Sequence, residues 1–538
     1  MGEPFFRSFL AGEAAAQSLL PASFRDRDAR VAHVRRAAER SIAPGLHEEL
    51  QRQDERLPPS AARRGMLHAL ADGCAAAVVT GQQPGLFLGP LFTFYKAASA
   101  IVAARALERE SQVRCAPVFW LQTEDHDFPE INHCHILLPD GTRKRLALDD
   151  QLGASGDRVS VAHRVLGADS EQLAATLEEC LGELPFSAEV LPLIREHYRT
   201  GQTLPGAFGG LLAALFADEG LIVFDPRNEA VARIAIPIYR KALIDSERIA
   251  AALLERAGAL EAAGFAVQVH VRTGSPLFFF HRHRAEGQRF RLERQGPAWS
   301  LVGSNETIST EELVRILEAD PLRFSSSALL RPILQDHLLP TAAYVGGPAE
   351  LSYFAQLPPV YRIFDLPIPL VVPRARFRCL EAKARSLLDK LHLGPSDAEK
   401  PRDQLRRQIA DASGADYPAP EVVRHQLMTD FSRHLDEFQP IAQSLDPGLL
   451  KAVNRTRATV ARAASRLSGR YSRSLLDKNR LADERIDRLR LMLLPDEIPQ
   501  ERCDSLPYFA CKYGVTALKE KVFAALDPFA GEVREVQL

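Results

Sequence analysis

Apolar positions along this chain fall into two regimes. From residue 75 to about 373, short and nearly continuous apolar runs alternate with stretches of helical periodicity. Ala75–Val79, Ala116–Leu121, Leu221–Phe224, Ala342–Val345 and Ile368–Val372 are such runs, the pattern of parallel strands buried on both faces. Ala97–Leu107, Phe208–Ala217, Glu229–Ala262 and Leu351–Leu357 read as the helices between them. The alternation predicts an α/β fold, a Rossmann-like doubly wound, mostly parallel sheet. Two stretches alternate with period two instead. One is about 133–165, with His135–Leu138, a Pro139-Asp140-Gly141 turn, Arg143–Leu148 and Arg158–Val165. The other is about 265–303, with Phe265–Val271, Leu277–His281, Phe290–Leu292 and Trp299–Val302. Both read as antiparallel insertions. Ahead of the first strand, Arg25–Ile42, Leu46–Leu57 and Ser60–Ala71 read as helices, making 1–74 a helical segment packed on a 75–373 core.

Beyond Arg374 no strand run appears until about 495. Met428, Phe431, Leu435, Phe438 and Leu445 recur at heptad spacing, as do Leu450, Val453, Val460, Ala464, Leu467 and Tyr471. After a shift near Ser474, Ala482, Ile486, Leu489 and Leu493 continue the seam. Two long helices joined at Asp446-Pro447-Gly448 predict an antiparallel α-helical coiled coil within 374–495, against the alternative of two helices in a compact bundle. Its exposed apolar seam predicts a homodimer contact. The aromatic stretch 496–538 reads as a tail packing back on another domain.

Composition narrows the function. Lys and Arg number 67 against 69 Asp and Glu, for a net charge of −2, which speaks against a nucleic-acid partner held by bulk charge. No apolar run reaches the ~18–20 residues that span a bilayer. The N-terminal stretch lacks a basic region ahead of an apolar core, so no signal peptide is expected, and Phe6 argues against myristoylation. Seven cysteines without a CxxC pair suit reduced thiols and a cytoplasmic location.

Three polar turns carry the candidate chemistry, each following a predicted strand. The first is Thr80-Gly81-Gln82-Gln83-Pro84-Gly85-Leu86-Phe87-Leu88-Gly89-Pro90, leading into a helix that carries Thr93, Tyr95 and Lys96. A strand-to-helix turn offers unpaired N–H groups to an anion, glycine permits close backbone approach, and Lys96 can reach a phosphate or carboxylate. The alternative is an ordinary Gly/Pro turn. The second is Trp120-Leu121-Gln122-Thr123-Glu124-Asp125-His126-Asp127. Clustered acids need a cation, which Mg²⁺ at Glu124, Asp125 and Asp127, a substrate amine or Lys96 would supply, and His126 suits a base. The alternative is a solvated acidic loop. The spacing is too tight for zinc, so no zinc site is expected. The third joins Arg331, Gln335 and Asp336 to Tyr344-Val345-Gly346-Gly347-Pro348-Ala349-Glu350, with Arg331 as an anion clamp or a salt-bridged residue of an internal turn. Asp225 stands after a further strand at the same predicted edge. Phe278–Arg284 reads as a strand end entering a turn. P-loop, GxGxxG and GxSxG signatures are absent.

The segments TGQQPGLFLGPLFTFYKAASAI, PVFWLQTEDHDFPEIN, RPILQDHLLPTAAYVGGPAELSYFAQL and PQERCDSLPYFACKYG resemble, in the same order, the cysteine-adding enzyme of bacillithiol biosynthesis, the BshC cysteine ligase family. The resemblance spans essentially the whole chain. It implies a Rossmann-like core with two insertions, a dimerising coiled coil, and formation of a carbon–nitrogen bond between the carboxyl of L-cysteine and the amine of glucosaminyl-malate, with ATP and Mg²⁺. Gly89 to Thr93 lies where related nucleotidyltransferases keep their ATP-binding signature. From position, His126, Asp125 and Lys96 are the expected catalytic groups. The remaining residues of the three turns are expected to bind substrate or nucleotide. The alternative is a non-catalytic nucleotide- or metabolite-binding scaffold with a coiled-coil arm.

Overall fold

The computed structural model describes residues 4–150, 159–412 and 418–538. The chain divides into two compact units, one over 1–378, 501–536 and 538, the other over 379–500 and 537.

The first unit is built on a five-stranded sheet of β1 (Ala75–Gln82), β2 (Arg114–Leu121), β5 (Ile222–Phe224), β11 (Thr341–Gly346) and β12 (Leu370–Pro373). Every pairing is parallel, and the order across the sheet is β12-β11-β1-β2-β5. Ala75 to Gly81 of β1 are all buried, which is why the strand reads as an unbroken apolar run. The chain winds outward from β1 in one direction through β2 and β5, then returns to β11 and β12 on the other side. The switch between β1 and β11 opens a crevice at the carboxyl ends of the strands. Thr80 Oγ1 donates to Val345 O at 2.8 Å across that switch.

Helices flank the sheet. Arg27–Ala38, capped by the Asp26 side chain, packs with helix Phe92–Ser111 against β1 and β11. Ala61–Ala71 is capped by Ser60, whose Oγ accepts from Arg63 N at 3.0 Å. The predicted helix over 229–262 is three helices, Glu229–Ile234, Ile236–Ile244 and Ser246–Ala262. Pro237 stands in the first turn of the second helix, where it has no N–H to donate back into the first.

The insertions are antiparallel. β3 (His133–Leu137) and β4 (Arg143–Ala147) form a hairpin. Strands β6 (Phe278–His281), β7 (Arg289–Gln295), β8 (Ala298–Leu301), β9 (Thr307–Ser309) and β10 (Phe324–Ser326) form a second sheet. Two predicted strands are not strands. Val161–His163 is a single 3₁₀ turn where 158–165 was predicted extended, with Arg158 outside the described residues. Phe265–Val271 is irregular, because the Gln356 side chain takes the bonds a ladder would supply: Val269 N donates to Gln356 Oε1 and Gln356 Nε2 to Val269 O, both at 2.9 Å.

Residues 501–536 belong to this first unit. Asp504 O accepts from Leu91 N at 2.8 Å, its carboxylate takes a bidentate contact from Arg143 at 2.6 and 2.9 Å, and Phe523 stacks near Phe216.

In the second unit, helices Pro420–Leu445 and Leu449–Leu493 form an antiparallel hairpin. Ser468 Oγ donates to Pro420 O at 3.0 Å and Tyr471 OH to Pro418 O at 2.9 Å. The longer helix outruns its partner. Ile486, Leu489 and Leu493, read as a continuing seam, are buried instead with Leu388, Leu391 and Leu405 of the preceding short helices. Among the described residues no helix is long and apolar enough to cross a membrane. None of the seven cysteines is in a disulfide.

Candidate active site

A cavity of about 440 Å³ sits at the carboxyl ends of β1, β2 and β11. The three polar turns meet there. Gln82, Gln83 and Lys96 come from the first, Trp120, Glu124, Asp125 and His126 from the second, and Arg331, Gly347 and Glu350 from the third.

Lys96 is 3% exposed, on the first turn and a half of helix Phe92–Ser111. Its ammonium meets three acceptors: Gly81 O at 2.6 Å, Gln82 Oε1 at 3.0 Å and Glu350 Oε2 at 2.7 Å. All three N–H donors are therefore committed inside the protein. Burial presses its pKa below the ordinary value and Glu350 holds against that pressure. Glu350 also accepts from Tyr344 OH at 2.5 Å and from Gly347 N at 2.7 Å, which closes the start of helix Pro348–Phe354. Lys96 thus ties the first turn to the third.

Arg331 is buried and aims its guanidinium at Gln335 Oε1 (2.9 Å), Tyr344 OH (3.2 Å) and Tyr353 OH (2.8 Å). Gln335 Nε2 in turn donates to Asp336 Oδ1 at 2.8 Å. Gln335 and Asp336 stand behind Arg331 rather than in the cavity, and Tyr344 and Gly346 stand behind Glu350.

On the acidic turn, Glu124 Oε2 accepts from Ser326 N at 3.1 Å and from the Ser326 hydroxyl, and Tyr239 OH reaches Glu124 Oε1 at 3.3 Å. Asp125 accepts from Gln83 Nε2 at 2.8 Å and from His126 N at 2.7 Å, with Arg289 Nη1 at 3.6 Å. Burial alone would raise the Asp125 pKa. His126 and Arg289 outweigh it and bring the carboxyl to about 2, so Asp125 is a fixed negative charge at neutral pH. Arg289 Nη1 lies 3.0 Å from His126 Nδ1. His126 Nδ1 also lies 3.3 Å from Asp125 Oδ1, so this nitrogen stands between a guanidinium and a carboxylate. Burial lowers Arg289 to about 10, and its guanidinium lies 3.7 Å from the Phe279 ring centroid.

Several predicted site residues lie elsewhere. Gly85 and Gly89 face each other, a Cβ on Gly85 coming within 3.2 Å of Gly89 Cα. Their loop is buried and held by Tyr198, whose OH donates to Gly85 O at 2.8 Å and accepts from Leu88 N at 3.2 Å. This loop is glycine-rich to fold in on itself, with Gly89 at φ +63°, and not to cradle a ligand. Thr80, Thr93 and Tyr95 are buried, Tyr95 packing its ring on Phe377. Asp127 flanks the short helix Phe128–Ile131 and does not line the cavity. Asp225 is half-buried beside the acidic turn, accepting from Thr123 Oγ1 at 2.6 Å. Among the described residues no three His, Cys, Asp or Glu side chains are grouped to hold a metal, and of the three acids read as a possible Mg²⁺ site only Glu124 and Asp125 line the cavity.

The cavity also has walls that no local pattern announced. Phe92 stands at the N-terminus of its helix with the Arg374 and Arg502 guanidinium groups 5.4 and 5.9 Å from its ring. Arg374 follows directly on β12, a position where strand-end reasoning applies, and it holds Glu501 bidentately at 2.8 and 2.9 Å. Arg502 arrives from the far end of the chain. Arg289 opens β7 of the insertion.

The chain matches two family models along its length. Residues 2–375 match the model described as Bacillithiol biosynthesis BshC, N-terminal Rossmann-like domain, and residues 377–537 match Bacillithiol biosynthesis BshC, C-terminal coiled-coil domain. A protein of Koribacter versatilis named "Putative cysteine ligase BshC" is 35% identical over 477 residues, 88% of this chain and 86% of the relative. One of the same name from Salinibacter ruber is 30% identical over 515 residues, 94% and 91% of the two chains. With its parallel sheet, antiparallel insertions and C-terminal helical hairpin, the chain belongs to the BshC family of bacillithiol biosynthesis.

Proposed function

We propose that this protein is a cytoplasmic cysteine ligase that joins the carboxyl of L-cysteine to the amine of glucosaminyl-malate, using MgATP. The observation that carries the reading is a single cavity at the topological switch point lined by both signs of charge: carboxylates of Glu124, Asp125, Glu130 and Glu350, and the cations Lys96, Arg289, Arg331, Arg374 and Arg502. The relatives' name supplies the reaction class. Seven cysteines outside any disulfide fit a reducing compartment.

The donor set around Phe92 suits a polyphosphate, since Arg374, Arg502 and the N-terminus of a 20-residue helix converge on one patch of wall. ATP there would supply the leaving group that makes a carboxyl reactive. Mg²⁺ would bring its own phosphate and water ligands and ask for one or two protein carboxylates only, which Glu124 or Asp125 can provide. The chain's own groups do the rest. Asp125, ionised at all physiological pH, holds the incoming ammonium beside Glu124. His126, its Nδ1 between Arg289 and Asp125, is the group placed to take the proton that the ammonium must lose before its nitrogen attacks. Lys96 positions the first and third turns through Glu350 and does not meet phosphate. The exposed apolar side chains of the hairpin support a homodimer.

The test is amide formation from cysteine and glucosaminyl-malate with MgATP, followed by product mass. Product is expected only when all three reactants are present, with Asp125→Asn lowering turnover by roughly 100-fold, the scale of a lost electrostatic group. Saturable nucleotide binding without product under any condition would instead favour the scaffold reading.

A further inference from the structure

A second cavity, of about 680 Å³, lies beside the first, walled by the antiparallel insertion and the loop that precedes it. Phe279, Arg289 and Ser327 line both, so the two spaces share a wall. Their charges differ. The first cavity carries four carboxylates, Glu124, Asp125, Glu130 and Glu350, among Lys96 and four arginines. The second carries His270, Arg272, Arg289 and Arg291 and no Asp or Glu. The nearby carboxylate of Glu293 is shared, 3.5 Å from Arg272 Nη1 and 3.8 Å from Arg291 Nη2, so one acid faces two guanidinium groups. Arg291 Nε is buried with no hydrogen-bond partner, and an unmet buried donor is costly until an acceptor arrives. Arg289 and Arg291 stand two apart on β7, hence on one face of the strand. Arg289 reaches His126 and Asp125 at the first cavity, while Arg291 lines only the second.

We infer that the second cavity binds the carboxylate-bearing end of the amine substrate, with Arg291 and Arg272 as its carboxylate clamp. The inference rests on the ligase reading above. That substrate is bipolar, with an ammonium on the sugar and two carboxylates on the attached malate. Of the paired cavities only the first offers carboxylates to an ammonium, and the second offers cations without an acid in its lining. An ammonium held by Glu124 and Asp125 directs the dicarboxylate past the shared Arg289 wall toward Arg291, where planar forked donors match carboxylates. A cavity of 440 Å³ is small for three reactants at once, and the second space relieves it.

The test uses the full-length protein and the variants Arg291→Gln, Arg272→Gln and Arg291→Lys. Melting temperatures matching the unchanged protein show that each is folded. For Arg291→Gln, the KM for glucosaminyl-malate is expected to rise about tenfold or more, the loss of one charge-assisted contact. Its kcat at saturation and its KM for ATP and cysteine should move less than about twofold. Arg291→Lys should recover part of the loss. Methyl glucosaminide, which lacks the carboxylates, should be used equally poorly by both proteins. An unchanged KM for the amine, or a rise in the KM for ATP instead, overturns the inference. If the unchanged protein forms no amide, the ligase reading fails by itself. Calorimetry with L-malate then decides the site: binding lost in Arg291→Gln supports it, and equal or no binding in both proteins overturns it.

Discussion

Asp336 is 1% exposed, yet it carries a carboxylate into the wall behind the cavity. Its Oδ1 accepts from Gln335, its Oδ2 from Tyr361 OH, and Arg40 donates to its backbone carbonyl at 2.5 Å. Burial drives its pKa up to about 6, against the pull of those donors and of Arg40. In the unfolded chain the group returns to near 3.9. Between about pH 4 and 6 the folded protein therefore holds a proton that the unfolded chain has released. Its contribution to stability is full below pH 4 and is lost as the pH rises through 6. In Asp336→Asn this titration is gone. Relative to the variant, the unchanged protein should lose on the order of 2 kcal/mol between pH 4 and 6.5 and nothing further above that. Urea unfolding at stepped pH reads the difference, and parallel profiles in both proteins would show that Asp336 ionises normally. The same residue shows why depth is hard to read from sequence. Arg331, Gln335 and Asp336 form one polar run, but only Arg331 reaches the cavity, because the next turn of its helix points into the core.

Among the elements, β1 pairs with β2 along its whole length, Gly81 opposite Trp120. A Cβ on Gly81 would lie 2.8 Å from Trp120 O, a backbone atom that cannot swing aside. Gly81→Ala should cost about 1–3 kcal/mol by overpacking. Gly258, exposed in helix Ser246–Ala262, has nothing within 4 Å of a built Cβ, and Gly258→Ala should stabilise by about 0.5–1 kcal/mol. Denaturant midpoints at unchanged slope test both, and the same sign for both substitutions would refute the packing argument. The five parallel strands were legible because burial on both faces removes polar positions from them, and strand ends then located the site. The insertions were less legible. Phe265–Val271 alternates like a strand, but whether alternation becomes a ladder depends on Gln356, 87 residues away. The glycine-rich loop after β1 gave the right neighbourhood with the wrong purpose, since Gly85 and Gly89 serve each other. Arg289, Arg374 and Arg502 were missed because cations reaching a cavity from three distant segments leave no local pattern. Arg374 alone had a usable signal, its place at the end of β12.

At the scale of the whole molecule, the helical hairpin is an incomplete structure by itself. It buries Ala442, Val453 and Ala464 between its helices. Phe431, Phe438, Ile441 and Leu445 remain 37, 50, 57 and 79% exposed on one helix, and Leu467 54% exposed on the other. Residues 431, 438 and 445 are a heptad apart, so they form a second apolar stripe beside the internal seam. Apolar stripes of this kind mark association surfaces, and a second copy of the chain is the proposed occupant. Because these side chains are already exposed, replacing Phe438 and Leu445 by Glu should cost the hairpin little, leaving helix content and unfolding unchanged. Burying those charges in an interface would be prohibitive. Sedimentation is therefore expected to find dimers of the unchanged protein at micromolar concentration and monomers of the double variant. A buried position makes the contrast: Val453→Asp should loosen the hairpin itself and lower its helix content. A monomeric unchanged protein would end the proposal. The residues lining the candidate cavity belong to the first unit, and none is on the hairpin. The monomeric double variant should keep its turnover per chain, and a loss of turnover that tracks the loss of dimer would mean that the partner completes the site after all.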